Sequence, residues 1–458
     1  MRIHLIAIGG AVMHNLAMAL HNKGFRVSGS DDEVFEPSRS RLERYGLLPS
    51  KTGWDPDRIT PDLDGVILGM HAKKDNPELI RAQELGVRIW SFPEYIYEQS
   101  RNKKRVVIGG SHGKTTVTSM IMHVLWFNHV AFDYMVGSQL EGFETMVKLT
   151  ADAPLIILEG DEYLSSPIDL RPKFHLYHPH IAVLTGIAWD HMNVFPTFDN
   201  YLEQFRIFAE GIGEEGVLYW YREDTDLQKI TSRLTCRTVT YAAHPYTTEA
   251  NKTCLLAEGT RVNVPVFGNH NMQNIQAALE VCRELGVTDD QFYEAISGFR
   301  GAARRQELLV EAGNTKVFLD FAHAPSKVKA TLESFREQWP DREIHAFLEL
   351  HTYSSLNREF IPQYRHSMDA ADEAVVFYDP QVVSFKKLPA LDRDFVRECF
   401  GNEKVNVLNS RQQLLEMMTR TRRTGIILFM SSGSFSGLKL REIASDITEP
   451  PAAPHSGE

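Results

Sequence analysis

Residues 108–116 read IGGSHGKTT, and this stretch decides how the rest of the chain is interpreted. An apolar run precedes it and the segment TVTSMIMHVLWF follows it, so the pattern predicts a strand, a glycine-rich loop and a helix. Such a loop can bind phosphate because its backbone N–H groups and the positive end of the helix point at the ligand. The alternative is a glycine-rich turn that contains a lysine.

The order of residues within the stretch favours phosphate binding. Gly110, Gly113, Lys114 and Thr115 follow the order of a phosphate loop, in which the lysine reaches the β- and γ-phosphates and the next hydroxyl holds magnesium. The full pattern GxxxxGK[ST] is not met, because Ile108 stands where its first glycine belongs. The shorter form GxxGKT is present.

Two further strand ends carry side chains that could hold a metal ion. Glu159 ends the apolar run PLIIL, where an acid is costly unless it meets a cation. Asp190 and His191 follow the run IAVLTGIAW. Magnesium sites take one or two carboxylates together with phosphate oxygens and water. Glu159 could instead cap a helix, and His191 could be a hydrogen-bonded loop histidine.

Composition limits the class of protein. Of the 458 residues, 43% are apolar and 24% charged, which is ordinary for a globular chain. The formal charge of −11 argues against a nucleic-acid partner. Four cysteines without CxxC spacing argue against a disulfide framework and a zinc site, and they fit a cytoplasmic protein. We expect neither a signal peptide nor a membrane span, since no run of about 20 apolar residues occurs.

Strands and helices alternate along the chain and predict an α/β fold of three consecutive domains. The bounds are residues 1–102, 103–301 and 302–447, with a proline-rich tail at 448–458 that we expect to be disordered. The first domain opens with IHLIAIGG, a strand and a glycine turn that either binds a ligand or is a tight turn without one. The basic run RNKKR (101–105) marks the first boundary.

Polar clusters outside the loop admit two interpretations each. GNHNMQN (268–274) opens a helix, where amides can meet an adenine edge or simply cap the helix. Arg304 and Arg305 offer forked donors for a phosphoryl oxygen, or form a solvated basic pair. The histidines of HLYHPH (175–180) are interpreted as solvated loop residues rather than a metal site.

Seven motifs in order resemble the Mur ligase family, the ATP-dependent amide-bond ligases of bacterial cell-wall synthesis. The motifs are IAIGG, GGSHGKTT, EGDEY, AWDHMN, GNHNMQN, GAARRQE and DFAHAP, and they cover nearly the whole chain. The resemblance implies an N-terminal Rossmann-like domain for a UDP-sugar, a central P-loop ATPase domain, and a C-terminal Rossmann-like domain that closes over both.

Within that family the chain is most similar to the branch of peptidoglycan recycling. This branch joins UDP-N-acetylmuramate to the tripeptide L-alanyl-γ-D-glutamyl-meso-diaminopimelate through an acyl phosphate. The similarity lies in DEY followed by RPKF and in FMSSGSFSGL near the end. The alternative is the branch that adds free L-alanine to the same UDP-sugar. A P-loop nucleotide-binding switch protein without ligase activity is a more distant alternative.

The resemblance also implies roles for individual residues. Lys114 would bind the β- and γ-phosphates, and Thr115 and Glu159 would hold one Mg²⁺ ion. His191 would hold a second. The remaining ATP contacts would come from two groups, one in the loop and one elsewhere: Gly110, Ser111, His112, Gly113 and Thr116; His270, Asn271, Asn274, Arg305 and Asp320. With Lys114 and Arg305, His323 would be catalytic and would face the reacting carboxylate.

The chain departs from the family at four places. His14 and Asn15 stand where relatives often carry glycine, and Ala324 replaces a second histidine. The segment EQFRIF (203–208) has no lysine, so we expect no carbamate there. HTYSSLN (351–357) differs from the usual segment of the recycling branch, which leaves the peptide preference open. The sequence gives no oligomeric state.

Overall fold

The computed structural model of the protein describes residues 1–189, 191–257, 259–419 and 424–448. Asp190 and residues 449–458 of the predicted tail lie outside the described residues. By internal packing the chain divides into two compact units. The first holds 1–189, 196–243 and 273–298, and the second holds 190–195, 244–272 and 299–458. The α/β class is confirmed, and the three domain bounds stay predictions.

The N-terminal segment of the first unit forms a parallel sheet with the strand order β2-β1-β3-β4. The last helix of this segment, α4, is capped at Ser91. The side chain of Ser91 and that of Glu94 form a capping box, which fixes where the helix starts. The elements are β1 (Arg2–Ile6), α1 (Ala11–Asn22), β2 (Arg26–Ser30), α2 (Ser38–Arg44), β3 (Gly65–Leu68), α3 (Pro77–Glu84), β4 (Ile89–Ser91) and α4 (Phe92–Ser100).

The larger sheet of the first unit has seven strands in the order β11-β10-β9-β5-β8-β6-β7. Only its edge strand β7 runs antiparallel to its neighbour. The elements are β5 (Lys104–Gly109), α5 (Lys114–Phe127), β6 (Asp133–Met135), β7 (Val147–Lys148), β8 (Leu155–Glu159), β9 (Ile181–Leu184), α6 (Phe198–Glu210), β10 (Val217–Tyr221), α7 (Thr225–Thr231) and β11 (Arg237–Tyr241).

Strands β5, β8 and β9 lie side by side in the centre of this sheet. Their apolar runs are buried on both faces, as is usual for parallel strands covered by helices. Because the three strands are parallel, their carboxyl ends meet at one edge. That edge therefore brings together the loop after β5 and the acids that follow β8.

The region that the sequence marks as irregular forms a small antiparallel sheet in the order β12-β13-β14. A long helix then begins within GNHNMQN, which confirms the predicted helix start. The elements are β12 (Tyr246–Glu249), β13 (Lys252–Ala257), β14 (Thr260–Val264), α8 (Asn269–Glu284) and α9 (Asp289–Ile296).

The C-terminal sheet has six strands in the order β15-β16-β20-β17-β18-β19, and only β15 is antiparallel. Alternate residues of β17 enter different cores: Ile344 and Leu348 face one cluster and Phe347 the other. The elements are β15 (Glu307–Ala312), β16 (Thr315–Asp320), α10 (Pro325–Gln338), β17 (Ile344–Leu350), β18 (Glu373–Tyr378), α11 (Pro380–Phe385), α12 (Arg393–Phe400), β19 (Val405–Leu408), α13 (Arg411–Thr419), β20 (Gly425–Met430) and α14 (Leu440–Thr448).

No helix of the described ranges is long and apolar enough to span a membrane.

The basic run 101–105 contributes two buried cations to the first unit. The ammonium of Lys103 donates to the carbonyls of Thr150 and Ala153 and lies 2.8 Å from the buried carboxylate of Asp133. The guanidinium of Arg105 donates to backbone carbonyls at residues 100, 101, 103, 177 and 178. These charges anchor the start of β5, because a buried cation needs partners of this kind.

Asp133→Ala is expected to destabilise the first unit by about 3–5 kcal/mol, because it leaves the charge of Lys103 buried without its carboxylate. Urea unfolding followed by circular dichroism measures this free energy. Glu333→Ala removes an exposed helical ion pair with Lys329 and serves as the control, with an expected loss below about 0.5 kcal/mol. Equal losses in the two variants would contradict this account of the ion pair.

Candidate active site

The loop between β5 and α5 depends on two glycines. Gly110 has a φ of 124° and Gly113 a φ of 73°, conformations that other residues rarely adopt. A Cβ atom at Gly113 would overlap the amide oxygen of Asn274, so the predicted partner Asn274 lies directly against the loop. The N–H of Ser111 donates to the carbonyl of Gly186 over 2.9 Å, which ties the loop to the segment after β9.

Lys114 begins helix α5 and turns its ammonium back into the loop. Its Nζ atom donates to the carbonyl of Gly110 over 2.7 Å and to Oε2 of Glu162 over 2.6 Å. Burial alone would lower the pKa of Lys114, but the carboxylates of Glu162, Asp161 and Glu159 raise it above its usual value. The lysine is therefore charged at neutral pH, at the place where a phosphate loop binds its ligand.

Glu159 and Thr115 form a second oxygen-rich pair at the same edge. The Thr115 hydroxyl donates to Oε1 of Glu159 over 2.8 Å, and the N–H of Gly137 donates to Oε2 over 2.7 Å. Carboxylate and hydroxyl oxygens are ligands that Mg²⁺ accepts. Among the described residues, no three His, Cys, Asp or Glu side chains converge on a metal position. A magnesium ion held here by Thr115 and Glu159 would take its other ligands from phosphate and water.

Sequence reasoning missed two residues of this site. Glu162 lies in the EGDEY motif just beyond β8, but the sequence analysis gave it no role. An acid a few residues past a buried strand end is the signal that could have found it. Tyr201 is fully buried, and its hydroxyl donates to Oε1 of Glu162 over 3.0 Å. It comes from α6, about ninety residues from the loop, and its local sequence carries no sign of this contact.

The remaining loop residues have structural partners. Thr116 is buried in the first turn of α5. The carbonyl of His112 accepts a hydrogen bond from the hydroxyl of Thr185. Their predicted contacts with a nucleotide stay predictions.

A second group of predicted residues lies in the second unit, around Asp320. The buried carboxylate of Asp320 accepts from the N–H groups of Gln306 and Ala322, each over 2.8 Å. The amide nitrogen of Asn271 donates to the carbonyl of Phe267 and to Oε1 of Gln306, each over 2.9 Å. Gln306 therefore links Asn271 with Asp320, a connection that the sequence did not reveal.

Aromatic and histidine rings complete this group. The guanidinium of Arg305 lies 4.6 Å from the ring centre of Phe321. Nδ1 of His323 donates to the carbonyl of Phe321 over 2.7 Å, so Nε2 is the basic nitrogen of the neutral ring. Nδ1 of His270 lies 3.0 Å from Oγ of Ser334. Burial lowers the pKa of His270, and Arg305 lowers it further while Asp320 opposes the change, so His270 is neutral at pH 7.

The structure changes the interpretation of two residues, Arg304 and His175, and leaves that of His191 open. Arg304 is not a solvated cation, because Nη2 donates to the carbonyls of Ser431 and Gly433. His175 is not fully solvated either, because Nε2 bonds the carbonyl of Gln204 over 2.8 Å. His191 has a left-handed φ of 55°, and its role as a metal ligand stays a prediction.

The glycine turn after β1 is closed by the acid that directly follows β2. The N–H of Gly9 donates to Oδ2 of Asp31 over 2.7 Å. Burial raises the pKa of Asp31 to about 6, helped by neighbouring Asp32 and opposed by the bond from Gly9. His14 and Asn15 are buried in α1. Nδ1 of His14 donates to the carbonyl of Gly10, and Oδ1 of Asn15 accepts the N–H of Met146.

Three family models match the chain in order. The model "Mur ligase family, catalytic domain" matches residues 2–104, "Mur ligase middle domain" matches 108–282, and "Mur ligase, glutamate ligase domain" matches 304–433.

Curated relatives and solved structures agree with these matches. The UDP-N-acetylmuramate–L-alanine ligase of Limosilactobacillus reuteri is 30% identical over 81% of this chain and 84% of its own length. The UDP-N-acetylmuramate–L-alanyl-γ-D-glutamyl-meso-2,6-diaminoheptandioate ligase of Haemophilus influenzae is 27% identical over 95% and 97%. A murein peptide ligase from Psychrobacter arcticus has the same fold, with a TM-score of 0.69, 22% identity, and coverage of 99% of this chain and 100% of that one.

Asp31→Asn is expected to change how stability depends on pH. Because the folded-state pKa of Asp31 is raised from 3.8 to about 6, its contribution to stability is fully present below the lower value and is lost as pH rises through the higher one. The melting temperature of the wild type minus that of the variant should therefore fall as pH rises from about 4 to about 7. Exposed Asp57→Asn is the control and should give a constant difference. If the difference in melting temperature between wild type and Asp31→Asn also stayed constant with pH, this would contradict the raised pKa of Asp31.

Proposed function

The chain belongs to the Mur ligase family, and we propose that it joins UDP-N-acetylmuramate to the tripeptide L-alanyl-γ-D-glutamyl-meso-diaminopimelate. Members of this family are ATP-dependent ligases that form ADP. One observation carries the catalytic part of the proposal: the charged Lys114 and the pair Thr115–Glu159 lie at one edge of a parallel sheet. This arrangement supplies a cation for phosphate oxygens and two oxygen ligands for magnesium.

The peptide acceptor is supported by one relative and by one segment. The Haemophilus influenzae relative, whose name includes the tripeptide, aligns over 95% of this chain, but a relative named as an L-alanine ligase aligns over 96%, so coverage does not separate the two acceptors. The segment RPKF, typical of the recycling branch, is fixed next to the site, because Nζ of Lys173 donates to Asp161 over 2.6 Å. The Limosilactobacillus reuteri relative has the higher sequence identity, 30% against 27%. This favours the alternative, a ligase that adds free L-alanine.

The first step of the proposed reaction forms an acyl phosphate. An oxygen of the lactyl carboxylate attacks the γ-phosphorus of ATP, and the bond from that phosphorus to the bridging oxygen of ADP breaks. Both reactants are anions, so the ammonium of Lys114 would offset their repulsion and the charge that builds up on the phosphoryl oxygens. Magnesium held by Thr115 and Glu159 would supply further positive charge to the phosphates.

The second step forms the amide. The α-amine of the acceptor attacks the acyl carbonyl carbon, the carbon–oxygen bond to phosphate breaks, and the amine loses a proton. We propose that His323 faces the reacting carboxylate, with Nε2 as its basic nitrogen. Arg305 would place its forked donors on phosphoryl oxygens, and Asp320 would hold the ribose. His191 would hold a second magnesium ion.

The acceptor is tested by measuring phosphate release from magnesium-ATP in the presence of UDP-N-acetylmuramate. Tripeptide and L-alanine are compared as acceptors at equal concentrations, with a reaction lacking the UDP-sugar as the control. We expect kcat/KM to be at least about tenfold higher with tripeptide, since an interaction difference of about 1.4 kcal/mol suffices for that ratio. Preference for L-alanine would make this the alanine-adding enzyme. Hydrolysis that ignores both acceptors would favour a nucleotide-binding switch protein.

Glu159→Ala is expected to lower kcat/KM by about a hundredfold or more, because it removes a carboxylate from the predicted magnesium site. His175→Ala is the matched comparison, since Nε2 of His175 bonds the backbone of α6 outside the loop, and this variant should lose less than about threefold. Steady-state kinetics at several magnesium concentrations measure both variants, with melting temperatures to exclude unfolding. Similar losses in the two variants would overturn the assignment of the metal site.

A further inference from the structure

We propose that Tyr201 is a positioning residue of the phosphate site and that it acts through Glu162 on the ammonium of Lys114. The inference rests on the proposed function, because it assigns Lys114 to the phosphates of ATP. Tyr201 has no counterpart among the residues expected from sequence. It lies on α6 and is fully buried, so its hydroxyl meets protein groups rather than solvent.

A chain of hydrogen bonds passes through the Tyr201 hydroxyl. The N–H of Ala188 donates to Oγ of Ser111 over 2.8 Å. Oγ of Ser111 lies 2.9 Å from the Tyr201 oxygen, and the Tyr201 hydroxyl lies 3.0 Å from Oε1 of Glu162. The second carboxylate oxygen, Oε2, accepts from Lys114. These hydrogen bonds thereby connect the backbone of Ala188, which follows β9, with Lys114 in the loop.

The direction of these hydrogen bonds follows from which groups can donate a proton. Oε1 of Glu162 accepts the hydrogen bond from Tyr201, so the Tyr201 proton points at Glu162. The Tyr201 oxygen must then accept the proton of Ser111, because the only proton of Tyr201 is already used. All donors therefore point towards Glu162, and bonds aligned in this way strengthen one another.

The carboxylate of Glu162 accepts hydrogen bonds from the Tyr201 hydroxyl and from the Lys114 ammonium. Its side chain is 1% exposed, so protein donors must replace the water that the carboxylate has lost. Tyr201 holds one oxygen in a fixed place, and Lys114 holds the other. A carboxylate that has lost the Tyr201 donor would bind the ammonium more tightly or turn out of line. Either change makes Lys114 a poorer partner for phosphate oxygens.

Tyr201→Phe tests the proposal because it removes the hydroxyl and keeps the ring. We expect the dissociation constant for magnesium-ADP, measured by calorimetry, to rise about tenfold, as loss of one hydrogen bond to a charged group predicts. KM for magnesium-ATP should rise by about the same factor, while kcat changes less than about twofold. If Tyr201 had a purely structural role, Tyr201→Phe would lower the melting temperature but would not raise KM while leaving kcat nearly unchanged.

Tyr219→Phe is the matched control. Tyr219 is also nearly buried in the first unit, and its hydroxyl donates to a carboxylate, Glu284, over 2.8 Å. This bond lies outside the loop and its hydrogen-bonded partners, so nucleotide affinity should not change. An equal loss of affinity in both variants would overturn the proposal.

A double-mutant cycle tests whether Tyr201 acts through Glu162. In the background of Glu162→Gln, adding Tyr201→Phe should change magnesium-ADP affinity by less than about twofold, because the mediating carboxylate is already gone. A full tenfold effect in that background would overturn the proposed route. If Tyr201→Phe does not fold, Tyr201→Met, which also lacks the hydroxyl, is used instead and should weaken affinity in the same direction.

The outcomes separate this inference from the proposed function. Wild-type affinity for magnesium-ADP in Tyr201→Phe would overturn the role of Tyr201 and leave the ligase assignment standing. A wild-type protein that does not bind magnesium-ADP at all would overturn both.

Discussion

One constraint shapes the first unit: a lysine must stay charged inside a loop at the positive end of a helix. Helix dipole and burial both disfavour a cation there. The sheet resolves this by placing β8 beside β5, so that Glu162 beyond β8 reaches Lys114 and Glu159 at its end reaches Thr115. The loop glycines then allow the backbone to turn sharply enough for the ammonium to point inward. Strand order, glycine positions and acid positions are therefore parts of one electrostatic arrangement.

The sequence predicted what depends on local pattern. The loop, its flanking strand and helix, and the α/β class follow from spacing and glycine chemistry over about twenty residues, which is the range in which such patterns act. The partners of the loop could not be read in this way. Tyr201 reaches Glu162 from a distant helix, and Gln306 links Asn271 with Asp320, because only the folded topology brings these segments together.

Charged and polar residues that looked unremarkable in sequence have structural duties. The basic run at the predicted boundary supplies two buried cations, and Arg304 donates to backbone carbonyls near the end of β20. His14 and Asn15 depart from the family pattern, yet both are buried and hydrogen-bonded in α1. For Arg304 the sequence left a solvated basic pair as one interpretation, because exposure is the commoner fate of charged residues. Burial and hydrogen-bond partners are properties of the fold and reverse that expectation.

The most direct test of the central claim is a crystal structure of the protein with magnesium and a non-hydrolysable ATP analogue. The account predicts that the phosphates lie in the loop formed by residues 110–116. Nζ of Lys114 should be within hydrogen-bond distance of a β- or γ-phosphate oxygen, and a magnesium ion should contact Thr115 and lie beside Glu159. An analogue whose phosphates lie elsewhere, with Lys114 still bonded to Gly110 and Glu162, would contradict the account.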